Sequence, residues 1–219
     1  MKKYLIAAML CMVMLVSMVP TALAATNYDE CMAAIQEQKQ IQAQAHQTAN
    51  KLRAQGYSDS SSYIQAAKAT WNAAQAEIVA YQKLSKYTYE DIRILTTTVY
   101  YEAGSTTEQL RQYVAQVALN RVADSRFPNT VKGVITQPGQ YNTKYAAMET
   151  AQAIKNKDAA NGTYNWETCK NSVKQAMMGK VAMPSNVLYQ ANFSQGKGLW
   201  KSVYFNSGYF ASTSYFCYG

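Results

Sequence analysis

The acidic residue best suited to catalysis in this sequence is Glu102, in the stretch YYEAG (Tyr100–Gly104). This stretch ends a run with helical periodicity, so the carboxylate is predicted at a helix C-terminus, where the helix dipole disfavours negative charge. Partial burial beside Tyr100 and Tyr101 would also raise the pKa of the glutamate. A glutamic acid that stays protonated near neutral pH can donate a proton to a glycosidic oxygen. The alternative is a solvated glutamate without a catalytic role.

Other residue types argue against several other classes of enzyme. His46 is the only histidine, and it lies in a polar region rich in alanine and glutamine. Zinc hydrolases normally need histidine ligands, and Ser-His or Cys-His hydrolases need an imidazole base. No P-loop or GxGxxG motif is present. We therefore expect carboxyl chemistry with no metal and no cofactor.

Residues 1–24 have the pattern of a secretory signal peptide, with Lys2 and Lys3, an apolar core, and a small-residue cleavage site at Ala22–Ala24. An uncleaved anchor is the alternative. Cleavage lowers the formal charge from +8 to +6 and leaves most of the basic excess in residues 87–219. A secreted, extracytoplasmic basic domain suggests an anionic wall or membrane surface as its partner, although a merely soluble basic surface explains the charge equally well. No motif supports nucleic-acid binding, and no stable membrane span is expected after cleavage.

Three cysteines remain after cleavage: Cys31, Cys169 and Cys217. An odd number permits at most one intramolecular disulfide. A pair between Cys169 and Cys217 is the first choice, and three buried free thiols are nearly as well supported.

Residues 25–86 predict an antiparallel helical hairpin of coiled-coil type. Its second half carries an apolar stripe at steps of three and four, made of Ile64, Ala67, Trp71, Ala74, Ile78 and Tyr81. Gly56 and the serines after it end the first helix and cap the second. Such a polar hairpin could be a spacer, a self-association element or a docking site for a protein partner.

Residues 87–219 predict a mainly helical domain with a small C-terminal β-sheet, which is an α+β fold. Thr88 can cap the helix that leads to Glu102, and Ser105 with Glu108 matches a capping box for the next helix. Further helices are predicted after Thr130, over residues 145–158 and over residues 166–179. Aromatic segments of β type follow: NVLYQANF, SVYFNSGYF and TSYFCY.

The order of motifs in residues 88–219 resembles the SleB-type cell-wall hydrolases, the spore-cortex-lytic enzyme family. The matching pieces are YYEAG, VALNRV (Val117–Val122), RFPNTVKGVI (Arg126–Ile135) and QPGQY (Gln137–Tyr141). The resemblance implies a lysozyme-like catalytic domain. It also implies cleavage of peptidoglycan glycan strands between N-acetylmuramic acid and N-acetylglucosamine.

The same resemblance implies roles for single residues. The family's catalytic glutamate falls on Glu102, while Asn120 and Arg121 are expected to brace the fold around it. Gln140 and Tyr141 are expected to line the substrate groove. The aromatic C-terminal segments add three predicted substrate-binding residues: Tyr189, Ser214 and Tyr215. Ser214 stands where family members often have a histidine.

A single well-placed acid favours a lytic transglycosylase, because a hydrolase of either stereochemistry usually needs two carboxyl groups. Two alternatives remain. One is a muramidase that uses water. The other is a non-catalytic protein that binds peptidoglycan or assists its assembly, which the serine at position 214 suggests. The sequence leaves open whether the substrate is spore cortex or vegetative wall.

Overall fold

The computed structural model describes residues 26–161, 166–206 and 211–219, without the side chains of residues 156–161. The predicted signal peptide, residues 1–24, lies outside the described residues. The chain divides into two compact units, Met1–Gln82 and Lys83–Gly219. Within the described residues, no helix is both long and apolar enough to cross a membrane.

The first unit contains the long helix α1 (Asn27–Ala54) and all but the last two residues of α2 (Ser62–Leu84). Thr26 and Asp29 form a capping box at the start of α1, and Gly56 takes a positive φ of 88° in the turn after it. The amide of Gln42 donates to the amide oxygen of Gln75 at 2.9 Å. Because Gln42 precedes the turn and Gln75 follows it, this contact places the two helices side by side.

One residue of the stripe predicted to be buried on α2 is exposed. Ile64, Ala67, Ala74 and Ile78 are buried, but Trp71 is 41% exposed. Its neighbours in the stripe, Ala67 and Ala74, are buried, so the buried face is interrupted at the indole ring. Tyr81 is half-buried, so the stripe identifies the buried face at four of its six positions.

The second unit begins with α3 (Tyr89–Ala103) and α4 (Glu108–Ala123). Thr88 forms a capping box with Asp91, which confirms the predicted cap of α3. The capping box predicted from Ser105 is wrong, because Thr107 is the N-cap of α4. The hydroxyl of Thr106 donates to the carbonyl of Ala103 at 2.6 Å, so it satisfies the last carbonyl of α3 rather than an N–H of α4.

Three more helices and a short 3₁₀ helix follow. They are α5 (Val131–Ile135), the 3₁₀ helix (Thr143–Ala146), α6 (Thr150–Asn161) and α7 (Trp166–Met177). The helix predicted over residues 145–158 begins five residues late, because the side chain of Asn142 accepts from the backbone N–H of Lys144 and caps a 3₁₀ turn instead.

Three antiparallel strands close the fold, β1 (Val187–Ala191), β2 (Leu199–Asn206) and β3 (Ala211–Tyr218), in the order β1-β3-β2. The sheet packs on α4 through a buried cluster of Leu110, Tyr113, Val117, Val187 and Phe216. This arrangement confirms the predicted α+β class, with helices forming most of the domain.

All three described cysteines are buried, and none of them forms a disulfide. The disulfide predicted between Cys169 and Cys217 is therefore wrong. Cys169 lies in α7 and Cys217 in β3, and the sulfur of Cys217 accepts from the backbone N–H of Gln195 at 3.4 Å. The thiols act as small apolar side chains of the core.

Candidate active site

A pocket of about 480 Å³ lies at the C-terminal end of α3. The end of α3, α4, the loop before the 3₁₀ helix and all three strands contribute to its wall. Six of the residues predicted from sequence line it: Glu102, Arg121, Gln140, Tyr141, Tyr189 and Ser214. Residues from distant parts of the sequence therefore meet at one surface.

Glu102 lies in the last turn of α3 and is exposed. The predicted partial burial of this carboxylate is therefore wrong. Tyr100 takes the buried position instead: it is fully buried, and its ring packs edge-on against Trp166. The hydroxyl of Tyr145 donates to Oε1 of Glu102 at 3.2 Å. Among the described residues that line the pocket, Glu102 is the single acid.

Arg121 brings a buried positive charge to the pocket wall. The residue is 4% exposed, and its Nε donates to the carbonyl of Leu188 at 2.6 Å. Its guanidinium lies 5.4 to 5.7 Å from the centres of three rings, those of Phe127, Tyr141 and Tyr189. Cation–π attraction stabilises a desolvated guanidinium in such a setting. Arg121 therefore holds two of the aromatic side chains that line the pocket.

Tyr141 interacts with both charged residues of the pocket, Arg121 and Glu102. Burial raises the pKa of its phenol; the positive charge of Arg121 lowers this pKa, and the negative charge of Glu102 raises it. The net upward shift keeps Tyr141 neutral around physiological pH. Its hydroxyl can therefore act as a hydrogen-bond donor toward a ligand.

Asn120 is 5% exposed and does not line the pocket. Its side-chain nitrogen donates to the carbonyls of Pro184 and Val187, both at 2.9 Å. Its side-chain oxygen accepts from Gln116 at 2.9 Å. Asn120 thus fastens the start of β1, the strand that carries Tyr189, to helix α4.

Tyr215 is the second predicted residue outside the lining. Successive side chains in a strand face opposite sides of the sheet. Ser212 and Ser214 of β3 line the pocket, so the half-buried Tyr215 between Ser214 and Phe216 belongs to the other face. The alternation along β3 therefore separates two residues that the sequence analysis grouped together.

The pocket also contains residues that the sequence analysis did not single out. Phe193 is 60% exposed and lines the pocket with Gln190, Asn192, Gln195 and Phe205. The aromatic and amide composition of NVLYQANF was a usable signal for a sugar groove. The turn after β1 decides which of its side chains face the pocket, and composition does not reveal that turn. Within the part of the chain that the structure describes, no group of three or more His, Cys, Asp or Glu side chains could hold a metal ion.

Comparison with known proteins adds independent information. Residues 105–207 match the family described as Cell Wall Hydrolase. Among solved structures, the chain is similar to the catalytic domain of the Bacillus cereus SleB protein, with 26% sequence identity over 59% of this chain and 91% of that chain and a TM-score of 0.38. No curated protein matches the chain. The family match lies within the C-terminal unit, in the part of the sequence whose motifs resemble the SleB-type cell-wall hydrolases.

Proposed function

We propose that this protein cleaves the glycan strands of peptidoglycan as a lytic transglycosylase, with Glu102 as its catalytic acid and base. The observation that supports this proposal most strongly is the position of Glu102 on the pocket wall. It is the single described acid on the wall of a pocket lined by aromatic and amide side chains, beside a region of the Cell Wall Hydrolase family. The pocket volume lies within the range of small-ligand sites.

The lining suits a carbohydrate. Aromatic rings present flat apolar faces that pack on the C–H faces of a sugar ring, and Tyr189 and Phe193 supply such rings. Gln140 and Ser214 supply amide and hydroxyl groups that both donate and accept hydrogen bonds. We assign these four residues and Tyr141 to substrate binding.

Glu102 can catalyse both halves of the reaction. As a carboxylic acid it donates its proton to the glycosidic oxygen between N-acetylmuramic acid and N-acetylglucosamine, and the bond from that oxygen to C1 breaks. The C6 hydroxyl of the same muramoyl residue attacks C1 and forms the new C1–O6 bond. The hydroxyl proton passes to the Glu102 carboxylate, which restores the acid. No water is consumed, and the product ends in a 1,6-anhydro ring.

A muramidase would use water in place of the C6 hydroxyl. Retaining and inverting glycosidases usually place a second carboxyl group across the bond that is cleaved. The described lining of the pocket offers no such partner for Glu102, which favours the internal nucleophile. Borohydride reduction of the products separates the two reactions. With isotopically labelled borohydride, reducing muramic ends take up the label and 1,6-anhydro ends do not. One labelled end for each bond cleaved would therefore refute the transglycosylase mechanism.

The substrate places the reaction outside the cytoplasm, which agrees with the signal peptide predicted in residues 1–24. We propose that the helical hairpin serves as a spacer, as a self-association element or as a dock for a protein partner. Its two helices are joined to each other by the Gln42–Gln75 contact.

A further inference from the structure

We propose that Tyr145 is a positioning residue for Glu102, and that it acts through a stacked tyrosine pair between the 3₁₀ helix and the end of α3. The inference rests on the proposed role of Glu102 as the catalytic acid. Tyr145 does not line the pocket, so its effect on the reaction must pass through the carboxylate that it contacts.

The contact joins a buried donor to an exposed acceptor. The hydroxyl of Tyr145 donates to Oε1 of Glu102 at 3.2 Å. Tyr145 is 9% exposed, whereas Glu102 is exposed. An exposed glutamate samples several rotamers at little cost. A hydrogen bond from a fixed phenol favours the rotamer in which the carboxylate faces that phenol.

Tyr145 is itself held in place by the helix that carries Glu102. Its ring stacks on Tyr101 with 5.0 Å between ring centres and 18° between ring planes. The hydroxyl of Tyr101 donates to the carbonyl of Ala153 at 3.2 Å. Since Tyr101 and Glu102 are neighbours in the last turn of α3, one turn of helix carries both the carboxylate and the ring that orients its donor.

A second connection holds the 3₁₀ helix against α3. The guanidinium of Arg93 donates to the carbonyls of Ala146, at 2.7 Å, and Met148. Its Nη2 also pairs with Glu90 at 2.7 Å. These contacts anchor the backbone next to Tyr145, so the phenol is not carried on a loose loop.

The phenol remains a donor over the working pH range. Burial raises the pKa of Tyr145 well above its ordinary value, and the negative charge of Glu102 raises it further. Tyr145 therefore stays protonated at neutral pH. It can keep its hydrogen bond to the carboxylate whenever Glu102 is ionised.

The test is the Tyr145→Phe variant, which removes the hydroxyl and keeps the stacked ring. With soluble glycan strands as substrate, we expect kcat to fall about 10- to 100-fold, because small displacements of a catalytic group cost rates of this order. We expect KM to stay within about twofold. A merely structural role would instead lower the melting temperature without separating kcat from KM.

The matched control is Tyr113→Phe. Tyr113 is 7% exposed, and its hydroxyl accepts a hydrogen bond from the charged amine of Lys201 at 3.1 Å. It does not line the pocket. This variant loses a comparable hydrogen bond in the same unit, and its kcat should remain within about twofold of the wild type.

Two kinetic outcomes would overturn the inference. One is a kcat for Tyr145→Phe within about twofold of the wild type, and the other is an equal loss in Tyr113→Phe. A readout independent of turnover is the ¹³C resonance of the Glu102 carboxyl carbon, assigned by its absence in Glu102→Gln. It should move in Tyr145→Phe and stay in place in Tyr113→Phe. A resonance unmoved in both would also overturn the inference. A wild type that cleaves no glycan would refute the proposed function, and the resonance would still decide the role of Tyr145.

Discussion

Replacing Asn120 by alanine should destabilise the C-terminal unit far more than a typical substitution of a polar side chain. Asn120 is 5% exposed, and its side-chain nitrogen donates to the carbonyls of Pro184 and Val187. Alanine removes both donors and leaves both carbonyls without this partner. The start of β1 then loses its attachment to α4.

The magnitude follows from the burial of the two carbonyls. Val187 is fully buried, so its unpaired carbonyl costs about 1–3 kcal/mol. Pro184 is exposed, so water can replace the lost donor and the cost there is about 1 kcal/mol. The expected loss in the free energy of unfolding is about 2–4 kcal/mol, a large share of the total for a small domain.

Urea denaturation followed by tryptophan fluorescence measures this loss. A Trp71→Phe background removes the tryptophan of the hairpin and leaves Trp166 and Trp200 in the C-terminal unit. With an m-value of about 2 kcal/mol/M, the midpoint should fall by about 1–2 M urea. Asn120→Asp should be at least as damaging, since it turns a carboxylate oxygen toward two carbonyls.

The control on the same helix is Gln112→Ala, which removes an exposed hydrogen bond to Glu108 and should cost about 0.2–0.5 kcal/mol. A midpoint for Asn120→Ala within about 0.3 M urea of the wild type would refute the reasoning. So would a shift no larger than that of the control, because the burial of Asn120 is the basis of the difference.

Two further predictions concern the pocket rim and the hairpin. Phe193 is 60% exposed and lines the pocket, so Phe193→Ala should raise KM for glycan strands about tenfold with little change in stability; an unchanged KM would remove this ring from the binding site. In the hairpin, hydrogen bonds from Arg53 and Lys68 lower the pKa of Asp59 from 3.8 to about 2. Because the folded pKa lies below the unfolded one, these ion pairs stabilise the hairpin above about pH 4, and their effect is lost as the pH falls toward 2. In a background with Trp166→Phe and Trp200→Phe, Trp71 fluorescence reports on the hairpin alone. There, the thermal midpoints with and without Asp59→Asn should differ at pH 6 and converge at pH 2, whereas a difference independent of pH would contradict the assignment.

Local signals in the sequence predicted much of the fold. The cap at Thr88 depends on residues three apart in the chain, and the structure confirms it. The aromatic, β-rich composition of the C-terminal segments predicted the three strands. The capping box at Ser105 was wrong because two threonines compete beside it, and Thr107 takes the cap position.

The environment of Glu102 was harder to predict, because it depends on contacts between distant residues. The stretch YYEAG predicted burial among aromatic side chains, but Tyr100 takes the buried position and leaves Glu102 exposed. The partner of Glu102 lies at Tyr145, 43 residues further along the chain. No local sequence pattern links Glu102 to Tyr145. The two residues meet because Arg93 of α3 donates a hydrogen bond to Ala146, in the 3₁₀ helix that contains Tyr145.

The most direct test of the account is mass spectrometry of the muropeptides released from purified peptidoglycan by the wild type and by Glu102→Gln. The glutamine keeps the size of the side chain but cannot donate the proton, so the variant should fold normally and release nothing. The wild type should release products one water lighter than those of a muramidase. Near-normal turnover by Glu102→Gln would contradict the central claim that this glutamate carries the chemistry. Hydrolytic products from the wild type would contradict the transglycosylase mechanism.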